Sequence, residues 1–189
     1  MPHNDNPLAI DHAVEALEAT PPSTTKANQL LSIMRALGAS DPDSWVQSEV
    51  EENIPQLARF LVLRHLWSRT INRYRDKTSW IPSSIGQAER DPTGMFADAG
   101  LALRHMVDAG VNMQDIGNLA RCIAYEAVFD VLDIIDDGYD GEARASDPTA
   151  PGWALMETDD QGELTGRQVT ALHEDILIMD PSGREGRIE

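Results

Sequence analysis

Apolar residues recur every three or four positions along most of this chain, the signature of helices with one buried side. The first such segment has Asn6 as N-cap, Pro7 at the first helical position and Leu8, Ala9, Val14 and Leu17 as apolar members. "TPPSTT" then breaks it, so residues 1–24 read as a peripheral helix and linker. A second helix runs from Lys26 to Leu37 and stops at Gly38, a residue suited to a left-handed cap. Asp41 and Pro42 open a third. A longer helix, from Pro55 to Asp76, carries Leu57, Phe60, Leu61, Trp67, Ile71 and Tyr74 at helical spacing. "KTSWIPSSIGQAERDP" reads as a loop, after which Asp91 and Pro92 open a fifth helix ending at Gly110. Asn112 caps the longest and most apolar helix, Met113 to Asp136.

Beyond Asp137 the periodicity stops. "DDGYDGEARASDPTAPG" reads as a surface loop and "WALMETDDQGELTG" as a hairpin turning at Gly162. A last helix runs from Arg167 to Met179, with Val169, Leu172, Ile176 and Met179 on one side, and residues 180–189 form a flexible tail. The pattern therefore predicts one mainly α domain over residues 1–189. It is a compact bundle of about six helices around the two long ones, with a small β-hairpin before the C-terminal helix.

Composition narrows the class. At 41% hydrophobic and 25% charged residues the chain resembles a globular protein able to bury a core. No apolar run approaches the ~18 residues of a membrane span, and the N-terminus lacks a signal-peptide pattern, so the expected location is cytoplasmic. The single cysteine, Cys122, leaves no intramolecular disulfide and no thiol zinc framework. Its neighbours Ala120, Ile123 and Ala124 predict a buried thiol.

Charge changes the picture more. The net charge of −17 disfavours direct contact with phosphate backbones and anionic membranes. It is also uneven: residues 126–189 hold seventeen acids and four bases, residues 1–125 fifteen and eleven. On the longest helix Glu126, Asp130, Asp133 and Asp137 fall on one narrow strip. Ile116, Ala120, Ile123, Ala124, Ala127, Val131, Ile134 and Ile135 lie opposite and define its expected core side. The strip runs to the helix C-terminus, where negative charge costs roughly 0.3 to 1 kcal/mol per group against the macrodipole. Arg59, Arg69 and Arg73 share one side of the helix from Pro55 to Asp76, and pairing with them would offset that cost. A divalent cation would do the same, held by Asp133, Asp136, Asp137 and Asp140 with a remote His105 or His173. The calcium-loop spacing around Gly141 is incomplete, because its third position is Gly138 and Pro148 blocks the exiting helix.

Other chemistry is sparse. The histidines show no HxxxH or HExxH pair, and in "LHED" the side chains of His173, Glu174 and Asp175 diverge on a helix, so His173 reads as a boundary residue. No GxSxG elbow or nucleotide loop is present. Trp80 and Trp153 lie in loop contexts, as anchors for those segments or for another chain. These features favour a non-enzymatic acidic interaction protein, of inhibitor or immunity type, docking on a basic partner protein. The alternatives are a divalent-metal-dependent hydrolase using an Asp/His cluster and a DNA mimic. A homo-oligomer is compatible with each.

Overall fold

The computed structural model describes residues 22–76 and 78–181 together with 183, 185 and 187. The helix predicted from Asn6 to Leu17 lies outside the described residues. The architecture is mainly α, with a two-stranded antiparallel hairpin ahead of the last helix. Helix α1 (Pro22–Ala36) starts at a proline, before the predicted Lys26, because proline suits the first turn. In α2 (Pro42–Glu52), Asp41 caps the start by accepting a hydrogen bond from Ser44 N.

The predicted helix from Pro55 to Asp76 is one rod with an irregular middle: α3 (Gln56–His65), a π-helical segment (Leu66–Ile71) and α4 (Arg73–Asp76). The wider turn closes with Asn72 N donating to Trp67 O at 2.9 Å. Trp67 and Ile71 stay in the core, while Leu66, Thr70 and Tyr74 line the edge facing the longest helix.

The predicted loop after Lys77 is instead helix α5 (Trp80–Arg90). Ile81, Ile85 and Ala88 bury one side, and Pro82 falls in the first turn, where no intrahelical N–H is required. It packs on α6 (Ala97–Asp108), which starts later than predicted after turns over 92–96. Contact is close at Gly100, where an added Cβ would meet Ala88 Cβ at 2.5 Å and Ser84 O at 2.6 Å. Helix α7 (Met113–Asp137) begins at Asn112, whose side chain accepts from Gln114 N at 2.8 Å.

The predicted surface loop contains a short helix, α8 (Gly141–Ser146), capped by Asp140. Strands β1 (Met156–Thr158) and β2 (Leu164–Gln168) then pair, with Gly162 and Gly166 at positive φ in the turn and at the register irregularity. β2 captures Arg167 and Gln168, and Ala171 is left-handed, so the last helix shrinks to α9 (Leu172–Asp175). The main core joins Leu63, Trp67 and Ile71 to Val128 and Leu132 of α7 and to Val169, Leu172 and Ile176. Trp67 Nε1 donates to Ile176 O at 2.7 Å inside it. Asp180, the first residue of the expected tail, is only 4% exposed and faces the buried Arg121 at 3.4 Å.

Candidate interaction face

Apolar residues cover more than half the circumference of α7, a wider arc than one neighbouring layer buries. The buried arc centres on Gly117, Arg121, Val128 and Leu132, with Tyr125 and Phe129 beside it. The predicted core side is therefore rotated. Ile116 is buried, but Ile123, Val131 and Ile134 are 56%, 54% and 57% exposed, and Ala127 is exposed with them. Cys122 is exposed as well, 3.8 Å from Glu126 Oε1.

The carboxylate strip is present as drawn from the spacing. Glu126, Asp130, Asp133 and Asp137 are all exposed, on the side of the apolar stripe away from the core. The arginines proposed to neutralise them go elsewhere. Arg59 forks onto Asp175 and Gln56, Arg73 sits over the Tyr74 ring, and Arg69 is exposed on the far side of Leu66 and Thr70. Among the described residues Glu126, Asp130 and Asp137 meet no cation. Asp133 meets one, His173 Nε2, at 3.8 Å.

His173 belongs to a second arrangement at the C-terminal end of α7. Its Nδ1 lies 2.7 Å from Asp136 Oδ2, which also accepts from the His173 backbone N–H at 3.1 Å. Phe129 meets the imidazole edge-on. The hydrogen bond that the imidazole donates to Asp136 raises the His173 pKa, burial opposes it, and the charges of Asp136, Asp133 and Glu174 add to the rise. A protonated imidazole between two carboxylates offsets part of their cost at the helix end and ties α9 to α7. Histidine oriented by a carboxylate is also the geometry of a general base, but among the described residues its ring hydrogen-bonds only Asp136.

The other predicted site residues separate. Asp140 accepts from Ala143 N at 2.7 Å as the cap of α8, and His105 is exposed on α6. Trp80 donates to Tyr74 O at 2.9 Å and packs edge-on against that ring. Trp153, partly exposed, donates from Nε1 to Ile134 O at 2.9 Å and from its backbone to Gly138 O at 2.8 Å. Both tryptophans thus pin their own segments to the fold. Among the described residues no group of three or more His, Cys, Asp or Glu is placed to hold a metal ion. No helix there is long and apolar enough to cross a membrane.

One concavity lies across the exposed apolar stripe of α7 from the carboxylate strip. It is an apolar groove of roughly 370 Å³ between α7 and the π-helical edge, with Ala124, Ala127 and Val131 on one wall and Leu66, Thr70 and Tyr74 on the other. Its walls escape a reading by periodicity, since either could equally be core. The available signal is the excess width of the apolar arc on α7. No protein-family model, curated protein or solved structure matches this chain.

Proposed function

We propose that this chain is a non-enzymatic binding protein, of inhibitor or immunity type, that docks through the outer face of α7 on a partner protein with a basic surface. The observation that carries the reading is a juxtaposition: three carboxylates without a cation, Glu126, Asp130 and Asp137, run beside an apolar stripe more than half exposed. Exposed apolar area rimmed by charge is the anatomy of a protein interface. Carboxylates at a helix C-terminus are unfavourable within the free chain, and a cationic partner reverses that cost. The net charge of −17 steers such a partner over a distance set by ionic strength.

The test captures a binding protein on the immobilised chain, purifies it and follows association at low and high salt. The expected on-rate falls steeply with salt and drops about tenfold for the combined Glu126→Gln, Asp130→Asn, Asp137→Asn variant. An on-rate indifferent to both salt and variant removes the reading.

A further inference from the structure

The groove is flanked, beyond its apolar walls, by two unlike rims. On the α7 side, past the exposed Ala127 and Ile134, stand Asp130 and Asp137. On the other side, one helical stripe beyond Leu66, Thr70 and Tyr74, stand His65, Arg69 and Arg73, all exposed. Among the described residues none of these three is in an ion pair. The floor between the rims is apolar, and its walls are two helices already packed on each other. Two neighbouring helices with an apolar groove between them offer the seat that a third helix occupies in a bundle.

We infer that the partner presents an amphipathic helix to this groove, its apolar side on Ala127 and Val131, with lysine or arginine along one flank and acidic residues along the other. This inference rests on the reading of α7 as the docking face and adds the shape and charge order of what docks there. An opposite-charge flank on each side is favoured by both rims, whereas a helix basic on both flanks meets Arg69 and Arg73 with like charge. The unequal rims also set direction: only one orientation of a helix with one basic and one acidic flank places both flanks correctly.

The probes are three synthetic helical peptides with an identical leucine and alanine face and flanks of lysine and glutamate, lysine and lysine, or glutamate and glutamate. Their affinities for the full chain are read by fluorescence anisotropy at low salt. The mixed peptide binds tightest, several-fold above the all-lysine peptide, and the all-glutamate peptide binds weakest. Arg69→Glu with Arg73→Glu inverts the first two. Ala127→Trp, a change at an exposed position that fills the groove, weakens the mixed peptide at least tenfold.

No binding of any peptide, or affinities untouched by Ala127→Trp, overturns the helix-in-groove assignment. In the second case loss of binding in the carboxylate variant still leaves α7 as an electrostatic docking face, so the two readings fail separately. A chain that sediments as a dimer and becomes monomeric with Ala127→Trp gives the groove to a second copy and likewise overturns the assignment.

Discussion

Two sets of carboxylates divide this molecule. Along the seam where the hairpin and the last helix meet α2, α3 and α7, the acids are paired: Glu49 and Glu157 share Arg167, Asp175 meets Arg59, and Asp180 meets Arg121. Arg121 also lies over the Trp67 ring and donates to Asn72 Oδ1, so a buried guanidinium is part of the core itself. On the outer face of α7, Glu126, Asp130 and Asp137, three to seven residues from Asp133, are exposed beside apolar neighbours instead. Along that seam each of these carboxylates has an arginine within 3.4 Å. On α7 the chain supplies none, although Arg69 and Arg73 stand across one groove. That contrast separates carboxylates used for folding from carboxylates left exposed, in a chain of net charge −17.

Breaking the paired set produces the largest effect. Asp180→Ala removes the carboxylate facing a buried arginine and is expected to cost about 3–5 kcal/mol, measured by denaturant unfolding. A loss below about 1 kcal/mol would place this pair with ordinary surface charges and dissolve the contrast. Arg167→Ala is the next largest. It leaves buried Glu49, 2% exposed, with the Leu57 backbone N–H at 2.9 Å and Lys26 Nζ at 3.9 Å, and is expected to cost about 1–3 kcal/mol.

His173 sits on the border between the two sets, and pH sharpens its place. Its raised pKa means that the folded state holds the proton more tightly than the unfolded chain. The contribution to stability is complete below the unfolded value of about 6.5 and is lost as pH rises through the raised folded value. Melting temperature followed across that window therefore declines with pH, and His173→Gln flattens the decline. Unchanged pH dependence in the variant would show that the clamp with Asp136 carries no stability.

Much of this was legible in the chain. The two long helices, the hairpin and the carboxylate strip follow from period and capping residues, because each is fixed by neighbours a few positions apart. What escaped was set by distant partners or by competing signals. The spacing of Ile81, Ile85 and Ala88 marks α5, yet Pro82, Gly86 and three serines between Thr78 and Ile85 argue against a helix locally. Arg167 reads as a helix start until Glu49 and Glu157 hold it in a strand. The buried arc of α7 turns on Arg121, which hydropathy places outside and Asp180 and Trp67 place inside. The same contest moves Ile123, Val131 and Ile134 from the expected core to the surface.

The smallest expected stability change belongs to the unpaired set. Glu126→Gln, Asp130→Asn and Asp137→Asn together should shift unfolding by no more than about 0.5 kcal/mol, since no cation is lost and repulsion at the helix end is relieved. A drop comparable to that of Arg167→Ala would reveal these residues as architecture after all.

The most direct measurement is the affinity of the lysine and glutamate flanked peptide for the wild-type chain and for this triple variant at low salt, with both proteins confirmed folded by their melting curves. The account predicts equal melting and at least tenfold weaker binding by the variant. Equal affinity for both chains would contradict it.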